Sequence, residues 1–289
     1  MNLLAACRFA HFMAAMLAFG ASFFLWAYCS DGLRRSLSLA AWRIVATACV
    51  VVLLTAVLWL ASESASMTGD WSDAYDPGMV GAVLADTAFG NAWISRLILG
   101  ALLVALVFGR HGRWDEVAIL SAAVLASLAL VGHAAMHSGV EGVLQHVNHA
   151  LHLLAAGAWL GGLIPFLMCL SAYADPKQRA AAVSAMAQFS FWGQFIVAAI
   201  VLSGVANIAL ISGRTPIPPS TPYRALLVAK IALVGVMVAL ALFNRFLLAP
   251  RLAPGAAALP ALRLTSVAEV ALGTVVVALV SVFAMLDPG

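Results

Sequence analysis

Residues 42–62 read WRIVATACVVVLLTAVLWLAS, a run in which every residue after Arg43 is uncharged. A helix needs about 20 mostly apolar residues, at about 1.5 Å each, to cross the hydrocarbon layer of a bilayer. Inside that layer the backbone must satisfy its own hydrogen bonds, which a helix does within one segment. This stretch therefore predicts a transmembrane helix.

Apolar segments of this kind recur along the whole chain. They predict an all-α, polytopic membrane helix bundle, with one transmembrane domain over residues 1–289 and a retained first helix. The eight predicted spans are residues 3–28, 42–62, 92–109, 115–136, 146–172, 187–211, 223–247 and 264–286. Gly157 and Gly161 predict close packing of the fifth span on a neighbour. No internal repeat is evident.

The composition also favours a lipid-embedded protein. Hydrophobic residues make up 64% of the chain and charged residues 9%, whereas a soluble domain has roughly 25% charged residues. The basic residues are scattered through short connections, which excludes nucleic acid as a partner and leaves the lipid bilayer. The four cysteines have no CxxC spacing, so no disulfide framework is expected.

The distribution of basic residues predicts the orientation. Lys and Arg accumulate in cytoplasmic connections. The connections after the second, fourth and sixth spans carry only Arg214 and Arg224, and residues 63–91 carry five acidic residues and no basic one. The other four connections carry ten: Arg34, Arg35, Arg43, Arg110, Arg113, Lys177, Arg179, Arg245, Arg251 and Arg263. We therefore expect both termini in the periplasm of a bacterium, with the bundle in the inner membrane.

Six of the seven histidines lie on the predicted outer side, and only His111 falls in a cytoplasmic connection. Residues four apart on a helix share one face, and residues three and six apart stay within about 120° of arc. One histidine lies in the first span, two end the fourth and three open the fifth: His11, His133, His137, His146, His149 and His152. The pattern predicts that imidazoles from three helices converge.

Such a cluster has the donor types of a copper site. Imidazole binds copper or zinc, and the thioether of Met136, beside the cluster, suits Cu(I). We therefore expect a copper site, for Cu(I) or Cu(II), formed by the six outer histidines and Met136. Two other interpretations stay open. A histidine near a helix end often only makes interfacial hydrogen bonds, and titrating imidazoles can form a proton relay.

Other polar residues lie inside the predicted spans. Arg96 and Lys230 near the outer side either extend to the interface or pair with Asp86 or Glu63. Glu269 has Arg245 and Arg263 as candidate partners near the cytoplasmic face.

Three cysteines fall in the cytoplasmic halves of their spans: Cys29, Cys49 and Cys169. A buried cysteine is usually a small apolar residue, and the alternative is a ligand for a soft metal that leaves the protein.

Over nearly its whole length the chain resembles the CopD/PcoD copper-resistance family of inner-membrane proteins. The resemblance rests on DTAFGNAWISR (86–96), GHAAMH (132–137), HVNHALHLLAAGAWLGGL (146–163), SGVANIALISG (203–213), RALLVAKIAL (224–233) and LFNRFLLAPRL (242–252). The resemblance marks ten family-pattern positions in this chain: Asp86, Trp93, Arg96, His133, His137, His149, His152, Lys230, Asn244 and Arg245.

The resemblance implies an eight-helix protein that moves copper inward across the inner membrane. It also implies a small periplasmic copper carrier of the CopC type as a separate partner, since no such domain is fused to this chain. No P-loop or phosphorylation motif is present, so we expect no ATPase and no enzyme.

Two alternatives remain from the sequence. The first is a membrane haem-binding oxidoreductase with two of the histidines as axial ligands. The chain is similar in helix pattern to the membrane protoporphyrinogen oxidase type, which has a histidine in its first helix, and His11 would be that histidine here. The second is a platform that receives copper from the periplasmic carrier without translocating it, with the acidic 63–91 connection as the docking surface.

Overall fold

A computed structural model of the protein describes residues 3–68, 70, 72, 76–131, 139–212, 221–252 and 257–283. Within these ranges all the regular structure is helical. The helices are α1 (Leu3–Ala27), α2 (Asp31–Thr68), α3 (Pro77–Asp86), α4 (Ala88–Gly109), α5 (Trp114–Ser127), α6 (Gly139–Ala172), α7 (Arg179–Ser212), α8 (Pro222–Phe243) and α9 (Ala258–Phe283).

Of the helices in the described ranges, seven are long and apolar enough to cross a membrane: α1, α2, α4, α6, α7, α8 and α9. The predicted fourth span, 115–136, corresponds to α5, which has 14 residues and continues as a 3-10 turn over Leu128–Leu130. The rest of that span lies outside the described residues. The helical membrane bundle is confirmed, and the count of eight spans stays a prediction.

Several helices begin earlier than the apolar pattern predicts. Helices α2, α6 and α7 begin at Asp31, Gly139 and Arg179, ahead of the predicted span starts at residues 42, 146 and 187. Hydropathy marks only the part of a helix that lies in hydrocarbon, and the backbone continues as helix into the polar interface, where charged side chains suit their surroundings. At the start of α2, for example, Asp31 pairs with Arg34 at 3.0 Å.

The short helix α3 was not predicted. Its start has a local cause, since the Asp76 side chain accepts a hydrogen bond from the Gly78 backbone N–H at 2.9 Å and Pro77 occupies the first helical position. Both features favour a helix N-terminus.

The basic connections meet at one end of the bundle, which we call the basic end. Three hydrogen bonds join them: Ser36 Oγ to Gln178 Oε1 at 2.6 Å, Trp42 Nε1 to the Val107 carbonyl at 2.9 Å, and an Arg263 N–H to Ser171 Oγ at 2.5 Å. The acidic 63–91 connection begins at the opposite end of the bundle. There its first residue, Glu63, interacts electrostatically with Arg8 of α1, whose guanidinium carbon lies 4.9 Å from the Trp59 ring centre. Basic and acidic connections therefore lie at opposite ends.

The bundle consists of two similar halves, although no repeat was evident in the sequence. The first half contains α1, α2, α4 and α5, and the second contains α6, α7, α8 and α9. In each half the first helix packs on the second and on the last. Helices α4 and α8 each have 22 residues, and each is preceded by a threonine N-cap, Thr87 or Thr221, whose side chain accepts the backbone N–H of the third helical residue.

The halves join along α1 and α6, which we call the seam. A Cβ on Gly20 would meet the Gly157 carbonyl oxygen at 2.1 Å, and a Cβ on Gly161 would meet the Met16 carbonyl oxygen at 2.1 Å. The two backbones therefore touch, which confirms the close packing expected from Gly157 and Gly161. Across the seam α1 also packs on α9, and α6 packs on α5, as two related halves require.

Candidate functional site

His11 lies on α1 and is completely buried. Its Nδ1 lies 2.9 Å from the Thr55 hydroxyl on α2. Thr55 has one hydroxyl hydrogen and directs it to the Val51 carbonyl at 2.6 Å, so His11 donates its Nδ1–H to Thr55. That assignment leaves Nε2 with a free lone pair, and Nε2 has no hydrogen-bond partner among the residues that the structure describes.

Aromatic rings and one thiol surround His11. The Trp59 ring meets it edge-on, with the centroids 5.8 Å apart, and Trp93 packs on Trp59 at 4.9 Å. Cys7 lies one turn outward on α1 and donates its thiol to the Thr55 carbonyl at 3.2 Å. An imidazole nitrogen and a sulfur, both suited to copper, thus bind to the same residue of α2.

Arg96 on α4 lies beside this group and is also completely buried. Its Nη2 donates to the Ser127 carbonyl at 2.7 Å and its Nε to the Ser127 hydroxyl at 3.2 Å, while its Cζ lies 4.1 Å from the Trp93 ring centre. Ser127 is the last residue of α5. Arg96 therefore neither reaches the interface nor pairs with Asp86 or Glu63, because it caps the C-terminus of a neighbouring helix.

His152 on α6 repeats the arrangement of His11. Its Nδ1 lies 2.9 Å from the Ser203 hydroxyl on α7, and Ser203 in turn donates to the Ala199 carbonyl at 2.5 Å. By the same argument His152 donates its Nδ1–H and keeps a lone pair on Nε2.

Two asparagines support this second group. Asn148 Nδ2 donates to the Ser203 carbonyl at 3.0 Å and to Asn207 Oδ1 at 2.9 Å. Asn207 Nδ2 then lies 3.5 Å from His149 Nδ1. Asn207 thus lies against the His149 imidazole, and Asn148 joins α6 to the Ser203 turn of α7.

A cation lies near the histidines in each half, completely buried Arg96 in the first and half-buried Lys230 in the second. Arg96 acts electrostatically on His11, and Lys230 acts on His149 and His152. Arg96 and Lys230 are each the ninth residue of their helices, α4 and α8. Each half therefore carries the same set of groups, a histidine, a hydroxyl on the next helix and a cation on the third long helix. We call these sets the first station, His11–Thr55–Arg96, and the second station, His152–Ser203–Lys230.

The remaining predicted ligands divide between described and undescribed parts of the chain. His146 lies one turn outward from His149, and its Nε2 is buried with no hydrogen-bond partner in the described ranges. His133, Met136 and His137 lie in residues 132–138, outside the described residues. Within the described part of the chain, no three His, Cys, Asp or Glu side chains lie close enough to hold one metal ion. A single site formed by all the predicted ligands stays a prediction.

The other family-pattern residues lie away from the stations. Asn244 begins a π-helical turn after α8 and donates to Glu269 Oε1 at 2.6 Å, while Thr265 donates to Asn244 Oδ1 at 2.6 Å. Arg245 donates to the Ser190 carbonyl on α7. Glu269 is therefore bound by an amide and not by Arg245 or Arg263, and these residues tie α7, α8 and α9 together.

Two family profiles match this chain. Residues 1–143 match the copper resistance protein D-like N-terminal domain, and residues 183–283 match copper resistance protein D. The chain belongs to the copper resistance protein D family. Membership places it among copper-handling membrane proteins, and the apolar helices make it a multi-pass protein of the bacterial inner membrane.

Three relatives show how far the similarity extends. Inner membrane protein YebZ of Escherichia coli (strain K12) is 36% identical over 98% of this chain and 97% of its own length. Copper resistance protein D of Pseudomonas syringae pv. tomato is 34% identical over 85% of this chain and 82% of its own. Copper transport protein CutJ of Bacillus subtilis (strain 168) is 30% identical over 50% of this chain and 28% of its own. No solved structure matches the chain.

Thr55, Ser203 and Cys7 were not identified from the sequence as site residues. Hydroxyls and thiols inside apolar helices are common, and their partners lie on other helices. One signal was present, however. His11, Ala14, Ala15 and Gly20 have the same spacing as His152, Ala155, Ala156 and Gly161, and this spacing marks α1 and α6 as equivalent helices.

Proposed function

We propose that the protein takes copper from the periplasmic side and moves it toward the cytoplasm through the stations. In this proposal the chain has eight spans, both termini are periplasmic and the basic end is cytoplasmic. The observation that carries it is the His11 Nε2 lone pair, buried and without a hydrogen-bond partner in the described part of the chain. The second station supports it because a hydroxyl on the next helix holds the Nδ1 of His152 as Thr55 holds the Nδ1 of His11.

A buried nitrogen without a partner requires a physical explanation. Leaving such a group unsatisfied costs about 1–3 kcal/mol, so native proteins rarely do so without a ligand or a function. The Nδ1 hydrogen bond to Thr55 fixes the orientation and tautomer of the ring, as the outer partners of metal-binding histidines do. A transiently bound copper ion would satisfy Nε2.

The positive charges of Arg96 and Lys230 favour transport of copper through the stations over its retention there. A nearby positive charge repels a bound copper ion, and the Coulomb energy is twice as large for Cu(II) as for Cu(I). Arg96 and Lys230 therefore weaken binding and favour the monovalent ion. Weak binding matters for transport because the ion must leave each site again.

The entry site in this proposal combines His146 with His133, Met136 and His137, which precede α6 in the chain. Arg96 holds the end of α5 just before this segment. The acidic 63–91 connection would receive a copper carrier of the CopC type, with the exposed Asp86 at its end. The proposal involves no enzymatic reaction.

The test is copper uptake into proteoliposomes that contain the purified protein. We expect His11→Ala and His152→Ala each to reduce the initial rate of Cu(I) uptake at least several-fold, and the double variant to abolish uptake. His111→Ala is the matched control, because His111 is exposed at the basic end beside Trp42. Normal uptake by the double variant would refute the proposal.

The same preparation separates the two alternatives. A platform would bind copper but leave the vesicle interior free of it. An oxidoreductase would show a Soret band equivalent to about one bound haem per chain.

A further inference from the structure

An open groove lies between α1 and α2 on the outside of the bundle. Its volume is about 540 Å³, within the range of roughly 300–1,000 Å³ that small-molecule sites occupy. The apolar residues that line it include Met13, Ala14, Leu17, Ala48 and Val51. Its polar lining residues are Arg43 and Thr47, both on α2. The groove is therefore a surface for a hydrocarbon chain with one positive charge.

Arg43 lies at the membrane surface of the basic end. The neighbouring Trp42 donates its Nε1–H to the carbonyl of Val107, in the last turn of α4, at 2.9 Å, and its ring centre lies 4.9 Å from that of His111. Tryptophan and arginine are both common at the interface between lipid and water. From Arg43 to Val51 the groove extends about 12 Å along α2, at about 1.5 Å per residue, into the uncharged part of the helix.

The charge of Arg43 is available to an anion. Arg43 is exposed, and within the described part of the chain its side chain makes no hydrogen bond, ion pair or ring contact. Other arginines of the basic end are paired, since Arg34 lies 3.0 Å from Asp31 and Arg110 lies 3.0 Å from Glu116. A negatively charged group at this end of the groove would complement Arg43.

The corresponding surface of the second half has different side chains. Since Thr55 corresponds to Ser203, the positions of Arg43, Ile44 and Thr47 in α2 are occupied in α7 by three aromatic residues: Phe191, Trp192 and Phe195. The three rings contact one another, with centroids 5.5, 5.8 and 5.7 Å apart. The cation and the space beside it are therefore features of α2 alone and not of the repeated fold.

We propose that the groove binds one anionic phospholipid of the leaflet at the basic end. An acyl chain lies along α1 and α2, and the headgroup phosphate accepts hydrogen bonds from the Arg43 guanidinium, which matches phosphate geometry. A lipid fits both features, because its charge lies at the membrane surface and its chains lie in the hydrocarbon layer. In a zwitterionic lipid an ammonium group competes with Arg43 for the phosphate, and phosphatidylglycerol has no such group.

The groove adjoins the first station. Val51 lines the groove, and its carbonyl accepts the Thr55 hydroxyl at 2.6 Å, while that hydroxyl lies 2.9 Å from His11 Nδ1. An acyl chain in the groove thus packs on both helices that hold the His11–Thr55 pair. We expect phosphatidylglycerol to raise the midpoint of thermal unfolding, as a ligand that binds only the folded state does.

The experiment measures lipid binding to the purified full-length protein in detergent by native mass spectrometry, with phosphatidylglycerol and phosphatidylcholine as probes. We expect the wild-type protein to prefer phosphatidylglycerol. Arg43→Gln should weaken its binding about five-fold or more and remove the preference, whereas Arg43→Lys should keep the preference. Arg35→Gln is the matched control and should bind as wild type, because Arg35 is exposed on the same helix and does not line the groove.

A second variant tests the apolar part of the site. Thr47→Phe introduces the aromatic residue that the second half has at this position, and its ring would occupy the groove. We expect weaker binding of both lipids, because the acyl chain loses its place whatever the headgroup. Undiminished binding in this variant would contradict the position proposed for the chain.

A phosphatidylglycerol with a photoreactive acyl chain locates the site without any variant. In nanodiscs, crosslinks identified by mass spectrometry of peptides should concentrate on residues 10–17 and 43–51. Crosslinks equally frequent on α4 and α8, or equal phosphatidylglycerol affinity of the wild type and Arg43→Gln, would overturn the proposal. Equal thermal stabilisation by inorganic phosphate alone would also overturn it, since the site would then bind an anion without a chain. A dimer that protects the groove from crosslinking would assign the groove to a second copy of the protein instead.

Discussion

Gly20 of α1 lies directly against Gly161 of α6, where a Cβ on Gly20 would come within 2.7 Å of the Gly161 Cα. The two glycines hold equivalent positions, each nine residues after the histidine of its own half. Close contact between small residues lets van der Waals packing hold helices together in lipid, where the hydrophobic effect does not. The seam therefore fixes the spacing between the two stations.

Replacing a seam glycine should destabilise the protein. Gly161→Ala places a methyl group against the Met16 carbonyl, which is backbone and cannot turn aside. We expect a loss of about 1–3 kcal/mol or more, measured as a lower midpoint of thermal unfolding in detergent. Gly193→Ala is the control, because a Cβ there meets no atom within 4 Å. Equal midpoints for both variants would show that the seam is looser than described.

The hydroxyl partners should act through the histidines. Thr55→Val and Ser203→Ala remove the groups that accept the Nδ1–H of His11 and His152. Loss of such an outer partner typically lowers metal affinity roughly 10- to 100-fold, so we expect weaker Cu(I) binding with the fold intact. Thr47→Val is the control, since exposed Thr47 bonds only to the Arg43 carbonyl of its own helix. Unchanged Cu(I) affinity in Thr55→Val and Ser203→Ala would show that these hydroxyls do not contribute to copper binding.

Removing the cation of the second station should strengthen copper binding. Lys230→Met deletes a positive charge that acts on His149 and His152. The lost repulsion corresponds to about 1–3 kcal/mol, or roughly ten-fold higher Cu(I) affinity or more. Uptake should slow because release becomes limiting. Lys230→Arg keeps the charge and should behave like wild type in equilibrium binding, so equal tightening in both variants would count against electrostatic repulsion.

The amide at the π-helical turn should matter for stability and not for copper. Asn244→Ala removes the donor to buried Glu269 and the acceptor for Thr265. Thr265 keeps its bonds to the Ala261 and Leu262 carbonyls, so the main loss is the donor to the Glu269 carboxyl, which costs about 1–3 kcal/mol and would be detected by thermal unfolding. Adding Glu269→Leu should recover part of the loss, because no unpaired carboxyl then remains. Thr274→Val, at a hydroxyl that bonds only to its own helix, is the control.

The family-pattern motifs in the sequence indicated several correct positions but not their partners. Arg96 was recognised as a buried charge, yet its partner is Ser127, the last residue of a helix whose end carries no sequence signal. The sequence offers Arg245 and Arg263 as candidate partners of Glu269, whereas Asn244 binds it in the structure. In both cases the partner lies on another helix, and rotation of that helix about its axis decides which side chain reaches it.

The sequence alone determined that the chain is a helical membrane protein, because charge is too scarce to face water and the apolar runs are long enough to cross a bilayer. Its motifs also indicated the copper family. Only the tertiary structure decided that His11 binds the hydroxyl of Thr55 on α2 and that His152 binds the hydroxyl of Ser203 on α7 in an equivalent way. Those relationships depend on how α1 and α6 pack against each other and against α2 and α7. No short sequence motif shows how each helix is rotated about its own axis, so the contacts between helices cannot be read from local patterns.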